Sequence, residues 1–232
     1  MARLILVVLA AMAVVSQGAR KVEEEKKPDF TITHEAWFDI EIKDYDGPGE
    51  DYRGRFVVGL FGEQVPMTVL NFVKLANGFQ RKKADGRVEK LHYKNTIFHR
   101  LVTDFVIQGG DVTVGDGSGG KSIFGDKFND ESFTISHNAA GYLAMANHGK
   151  DTNGSQFFIL LNRARWLDDK HVVFGKIIQG MDVLRDMGEI KTFSDSRPRN
   201  RIKIVDCGAD PVEKKYTLSE EEARSEKDLT RD

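Results

Sequence analysis

From residue 34 onward, apolar and polar side chains alternate in short runs. In "HEAWFDIEIKD" Phe38, Ile40 and Ile42 alternate with Asp39, Glu41 and Lys43, the period of a strand with one face buried. Turn residues follow in "DYDGPGEDYRG" and "RFVVGLFG" resumes the alternation, so residues 34–62 are expected to form a β-hairpin with an enlarged loop. The period then lengthens. In "PMTVLNFVKLANG" Val69, Phe72, Val73 and Ala76 fall at helical spacing, with Pro66 at the entry and Gly78 at the stop, which predicts one amphipathic helix. The basic and polar stretch "FQRKKADGRVEKLHYKN" reads as a surface loop, with a basic docking patch as the alternative. Between Thr96 and Gly175 the runs "TIFHRLV", "FVIQGGDV", "GYLAMAN", "SQFFILL" and "HVVFGKI" are separated by glycine-rich turns. No helix there is long enough to serve as a crossover, so the sheet should be antiparallel and either closed or sandwiched. A short helix in "GMDVLRDM" and a strand in "RIKIVDCG" follow, and Ser219 and Glu222 stand at capping-box spacing in the charged end.

Composition narrows the classes. A chain of 232 residues suffices for one domain with a full core. With 34 basic against 36 acidic side chains, no field draws in nucleic acid, and none is expected as a partner. Arg3 precedes an apolar run from Leu4 to Val15, shorter than the roughly 20 residues that span a bilayer. Small residues at Ser16 and Gly18 complete a signal-peptide pattern, against the alternative of a retained anchor. The expected division is a signal peptide over 1–18, a charged leader over 19–33, a single folded domain over 34–210 and a charged tail over 211–232. No stable membrane insertion is expected, and the chain should be a monomer. Cys207 is the sole cysteine, so no internal disulfide can form, and it reads as a small buried hydrophobe. The terminal "LTRD" is not a retention tetrapeptide of the Lys-Asp-Glu-Leu kind. The expected address is the secretory pathway, either the endoplasmic reticulum lumen or the exterior.

Two pattern matches do not survive their context. "GDGSGGKS" fits a phosphate-loop pattern, but "IFGDKFNDESF" after it has no helical period, and that loop works only at the N-terminus of a helix. The glycosylation triplet "NGS" at Asn153 runs straight into the apolar strand "QFFILL", so no modification is expected there. Histidines and carboxylates do not cluster at ligand spacing, so neither a metal nor a cofactor is expected.

The stretches "FHRLVTDFVIQGGD", "MANHGKDTNGSQFF" and "WLDDKHVVFGKI" occur together and in this order. They resemble the cyclophilin family of peptidyl-prolyl isomerases, over about residues 34 to 210, and with the leader the chain is most similar to secretory members of the cyclophilin B kind. The resemblance implies a closed eight-stranded antiparallel β-barrel capped by two α-helices. It also implies that Arg100 of "FHR" is the catalytic residue. Phe105, Val106, Gln108, Gly117, Ala146, Asn147, His148, Gln156, Phe158, Trp166, Leu167 and His171 would form the substrate groove. The implied partners are proline-containing peptides and unfolded secretory proteins, and the tryptophan implies a surface able to bind cyclosporin. Two positions depart from the family. Val106 stands where methionine is frequent, and His148 puts a larger titratable side chain where alanine is common.

These residues suit a reaction that breaks no bond. Rotation about a peptide bond is opposed by a resonance barrier of about 18–20 kcal/mol, and X-Pro bonds exchange in tens to hundreds of seconds unaided. A guanidinium that donates to the proline nitrogen as its lone pair localises would favour the twisted state over the planar one. Apolar walls at Phe105, Val106, Phe158 and Leu167 would hold the proline ring, and Gln108, Asn147 and Gln156 would grip the substrate backbone. Alternation requires Phe157 and Phe158 to face opposite ways, so about half of the motif phenylalanines should be core. His99 lies on the other strand face from Arg100 and reads as a satisfied structural histidine. For His171, packing the pocket wall and donating a hydrogen bond remain open alternatives. The competing functional class is a proline-peptide binding module or chaperone scaffold, with the basic stretch at 80–94 docking an acidic partner.

Overall fold

The computed structural model describes residues 27–229, so the expected signal peptide lies outside the described residues. The alternating segment at the start becomes β1, Thr31–Gly47, which turns into β2, Glu50–Leu60. Both strands run through most of the stretch expected as an enlarged loop. Cross-strand contacts carry the ladder outward there: the Tyr45 and Tyr52 rings meet at 5.1 Å, and Asp51 accepts from the Asp44 N–H at 3.1 Å. The chain reverses at Gly49, whose φ of 85° suits a residue without a Cβ.

Helix α1, Pro66–Ala76, starts at its proline as expected and buries Val69, Phe72, Val73 and Ala76. Gly78 follows at φ 84°. The first-turn N–H groups of Met67 and Thr68 donate to the Glu131 carboxylate at 2.9 and 2.8 Å, a cap supplied from far along the chain. The basic stretch that was expected as a loop forms a two-stranded hairpin, β3 (Phe79–Lys82) with β4 (Val88–Leu91), in which Arg81 stands opposite Glu89. Cross-strand charge pairing replaces apolar alternation there. The remaining strands are β5 (Arg100–Val102), β6 (Val106–Gly109), β7 (Tyr142–Met145), β8 (Phe157–Leu160) and β9 (Val173–Gln179). Helix α2, Met181–Gly188, then precedes β10, Ile202–Thr217, which continues well past residue 210. Helix α3, Glu220–Arg224, begins with the capping box of Ser219 and Glu222.

The fold is mainly β. Eight strands form one antiparallel sheet in the order β10-β1-β2-β9-β7-β8-β6-β5, curled into a half-barrel with a few helices. Period-two alternation then sorts side chains into two apolar clusters. Leu101, Ile107, Ile159 and Leu143 stand opposite one another across β5, β6, β8 and β7, and all belong to the larger cluster. Phe72 is fully buried in that cluster. Its ring lies 5.6, 5.2, 5.3 and 4.8 Å from those of Phe38, Tyr93, Phe157 and Phe174. The other sheet face carries the second cluster, which includes Val106, Ala144, Phe158 and Leu160. Cys207 is buried as expected, its thiol donates to Ala76 O at 3.3 Å, and burial pushes its pKa up to about 12, so it is chemically inert.

Candidate active site

Strand pairing, rather than local sequence, assembles the site. Arg100 on β5 stands opposite Gln108 on β6, Gln108 opposite Phe158 on β8, and Phe158 opposite Ala144 on β7. Directly opposed residues project from the same sheet face, so Arg100, Gln108 and Phe158 form one row. Phe157, its neighbour in sequence, is fully buried in the larger cluster, while Phe158 is 5 % exposed in the second. The opposite orientation expected of the two rings is what the sheet produces.

A chain of oriented amides runs beside this row. Gln156 Nε2 donates to Gly117 O at 2.8 Å and to Gly119 O at 2.9 Å. Both of its protons are thereby committed, and its Oε1 is turned to accept from Gln108 Nε2 at 2.9 Å. Gln108 must then present its own Oε1 toward Arg100, whose Nη1 donates to it at 3.5 Å. The side chain of Gln156 thus holds Gln108 and the glycine loop in place. Asn147 is likewise engaged, with Nδ2 donating to Lys170 O at 2.7 Å and Oδ1 accepting from Gly149 N–H at 3.2 Å. Its backbone N–H and C=O make no hydrogen bond among the described residues.

The apolar side of the site continues from Phe158. Phe105, Ala146 and Leu167 are partly buried against the second cluster, which also contains Val106 at 2 % exposure. The Phe105 ring meets that of Trp166 at 5.4 Å, and Trp166 itself is 63 % exposed at the rim. His171 stands edge-on to Phe158 at 5.3 Å. Its Nδ1 bonds Met145 O at 2.9 Å, and desolvation lowers its pKa below the usual histidine value. His171 thus packs against Phe158 and donates to a backbone carbonyl, and its lowered pKa favours the neutral imidazole. His148 is exposed and lines a small cleft with Gln108, Ala146, Asn147, Gln156 and Lys127.

Sequence reasoning missed the support beneath this wall. His137 lies parallel to Phe158, with ring centroids 6.1 Å apart, and its Nδ1 meets Asp168 Oδ1 at 2.9 Å. Arg165 Nε donates to the other Asp168 oxygen at 3.0 Å. No motif spacing announces a pair 31 residues apart with two strands between its members. His99 also differs from its expectation, because its buried Nδ1 has no hydrogen-bond partner among the described residues. Its ring packs on Gly117, where an added Cβ would come within 2.5 Å of Cδ2 and Nε2.

The glycine loop is built around a carboxylate. Asp111 is 2 % exposed and accepts from the N–H groups of Thr113, Val114, Gly117 and Gly119 at 3.0–3.1 Å. An anion from the chain itself thus fills the cradle that a phosphate would need, and the nucleotide pattern is excluded as expected. Asn153 is also fully buried, its Nδ2 donating to Asp130 at 2.8 Å, so the glycosylation triplet is out of reach.

Desolvation alone would raise the Asp111 pKa, but its backbone donors outweigh that and pull it from 3.8 to about 2. A depressed folded-state value means stabilisation that is full above the unfolded value and lost as pH falls toward the folded one. Urea midpoints of the native protein should therefore fall between pH 3.8 and about 2 more steeply than those of Asp111→Asn. That variant should also be the less stable of the two at pH 7. Parallel slopes would show that Asp111 does not carry this pH dependence.

The family described as cyclophilin type peptidyl-prolyl cis-trans isomerase/CLD matches residues 38–209. Peptidyl-prolyl cis-trans isomerase CYP21-1 of Arabidopsis thaliana is 45% identical, covering 91% of this chain and 92% of that protein. Peptidyl-prolyl cis-trans isomerase B of Saccharomyces cerevisiae is 42% identical over 88% of this chain and 92% of the relative. Peptidyl-prolyl cis-trans isomerase D of the same yeast is 45% identical, covering 80% and 76%. The chain belongs to the cyclophilin-type peptidyl-prolyl cis-trans isomerases and is an enzyme of that activity.

Proposed function

We propose that Arg100 is the catalytic residue and that the row it shares with Gln108 and Phe158 receives the X-Pro bond. The observation that carries this is the amide chain from the Gly117 and Gly119 carbonyls through Gln156 to Gln108, which orients an acceptor toward the guanidinium. A donor held in this way needs no reorganisation when the proline nitrogen becomes pyramidal. Phe105, Val106, Phe158 and Leu167 supply the apolar wall for the ring, and Trp166 and His148 stand at the rim. The open backbone of Asn147 fixes one side of the substrate in extended form. His171 keeps the wall in place and transfers no proton.

The same reading assigns proline peptides and unfolded secretory proteins as substrates, a cyclosporin-type ligand for the groove, and a monomeric state. It places the protein in the secretory pathway, in the endoplasmic reticulum lumen or outside the cell, after removal of residues 1–18. A charged leader over 19–33, an isomerase domain over 34–210 and a charged tail over 211–232 are the proposed division, with β1 beginning at Thr31 and β10 carrying the sheet on to Thr217. The sheet is read as a closed barrel. Supporting closure, Phe98 N–H donates to Ile202 O and Ile204 N–H to Thr96 O, both at 3.0 Å, between the lead-in to β5 and β10.

A tetrapeptide exchange assay with and without cyclosporin tests the assignment: acceleration that cyclosporin abolishes is expected, and acceleration insensitive to the ligand would contradict the groove. Gln156→Leu tests the amide chain. It keeps the bulk but removes every bond to Gln108 and the loop, and kcat/KM should fall about tenfold, as for the loss of hydrogen bonds worth roughly 1–1.5 kcal/mol. Unchanged turnover in a folded Gln156→Leu protein would remove the chain from the mechanism.

A further inference from the structure

The basic stretch at 80–94 is the sequence's own candidate for docking an acidic partner, but several of its cations are engaged within the fold. Arg81 and Lys83 pair with Glu89 at 2.6 and 3.0 Å, and Lys121 lies 3.7 Å from the same carboxylate. A second set of cations is more loosely held. Residues 191–201 turn back on themselves, with Phe193 N–H donating to Arg197 O at 2.9 Å and Arg199 N–H to Lys191 O at 2.8 Å. Pro198 is buried, and Arg197, Arg199 and Arg201 around it are exposed. The guanidinium carbons of Arg197 and Arg199 each lie 5.2 Å from the centroid of the Phe193 ring, which is 45 % exposed.

Their other partners are weak. Arg197 reaches Asp195 at 3.6 Å on the open surface, and Arg199 Nε donates to the Thr192 carbonyl at 3.2 Å. The Arg201 side chain has neither an ion pair nor a hydrogen bond among the described residues. The three arginines and Phe193 line a cleft of about 290 Å³ whose far wall includes Ile97 and His99. It shares no lining residue with the small cleft beside Gln108.

We propose that this cleft docks acidic peptide segments, with Asp or Glu carboxylates on Arg197, Arg199 and Arg201 and a neighbouring apolar side chain on Phe193. The guanidinium fork matches a carboxylate in two-point geometry. Stacking on one aromatic ring orders two of the forks before binding, which reduces the entropy lost when the ligand arrives. A peptide fits better than nucleic acid. The chain as a whole carries no excess of basic over acidic residues to track a phosphate backbone, and a single ring does not make a base-stacking platform. The site adds a second contact for clients or partners, outside the isomerase groove.

The test uses the full chain and a fluorescent Glu-rich decapeptide without proline, which keeps the isomerase groove out of the measurement. Binding should weaken as salt is raised, and should be lost when Glu is replaced by Gln in the peptide. Combined Arg197→Glu, Arg199→Glu and Arg201→Glu should weaken it by at least about tenfold, the sum of three exposed pairs, with tetrapeptide turnover unchanged. Arg201→Ala provides a milder variant should the triple reversal lower turnover, and a measurable loss of affinity is expected from it as well. Equal binding of the Gln peptide would overturn the proposal. So would loss of binding on Arg81→Glu with Lys83→Glu but not on the triple reversal, or binding of single-stranded nucleic acid in preference to the acidic peptide.

Discussion

Arg100→Ala is expected to lower kcat/KM for an X-Pro tetrapeptide by about 10²–10³-fold, the effect of losing one preorganised donor worth roughly 2.7–4 kcal/mol. Thermal stability should stay where it is. Arg100 is only half-buried and its bond to Gln108 is long, at 3.5 Å, so its removal uncovers little and leaves no charge unpaired. The amides of Gln108 and Gln156 hold each other at 2.9 Å whether or not the guanidinium is present. Arg100→Lys should restore little of the lost turnover, because an ammonium on a flexible stem cannot reproduce a planar fork aimed by a neighbouring amide. Stopped-flow exchange kinetics alongside thermal unfolding would check both statements, and a parallel fall in Tm would mean that the variant reports on folding instead.

The largest effect on stability is expected from Phe72→Ala. Phe72 is fully buried, and its ring touches four other aromatic rings contributed by β1, the segment before β5, β8 and β9. Truncation leaves a cavity that rigid rings cannot close, at a cost of about 3–5 kcal/mol. For a chain of this size that corresponds to a fall in Tm of roughly 10 °C or more. Surviving turnover at low temperature should be close to native, because Phe72 sits in the larger cluster and the catalytic row rests on the second. A shift of only a degree or two would show that α1 is not the keystone of the aromatic core.

What the sequence disclosed follows from the range of the interactions involved. Strict alternation placed Phe38, Ile40 and Ile42 inward, and helical spacing placed Val69, Phe72 and Ala76 on the buried face of α1. Both are periodic, so both are visible in a short window. The hairpin of β3 and β4 was hidden because it is held by Arg81 facing Glu89 rather than by apolar alternation. Glu131 at the start of α1 and Asp168 behind His137 were hidden for another reason. Each is one carboxylate bonded to a segment distant in the chain, Glu131 to Met67 and Thr68 and Asp168 to His137, and leaves no repeat to detect.

The site residues themselves came from motif resemblance, and strand order then brought them together. Nothing in "FVIQGGD" or "NGSQFF" says that Gln108 and Phe158 will be opposite one another; that depends on β6 pairing with β8. Residue type also left the role of Gln156 ambiguous. A glutamine can grip a substrate or orient a neighbour, and only the commitment of both its amide protons to Gly117 and Gly119 separates the two.

The role proposed for Arg100 requires it to act on the twisted bond and not on the resting peptide. Titrating a proline tetrapeptide into the native enzyme and Arg100→Ala by NMR, while measuring exchange between the bound isomers, separates these possibilities. The account predicts dissociation constants that agree within about threefold, as expected when an interaction is made mainly in the transition state, and catalysed exchange that falls by about 100-fold or more. A peptide that binds Arg100→Ala as many times more weakly as turnover falls, yet exchanges at the native rate once bound, would contradict it.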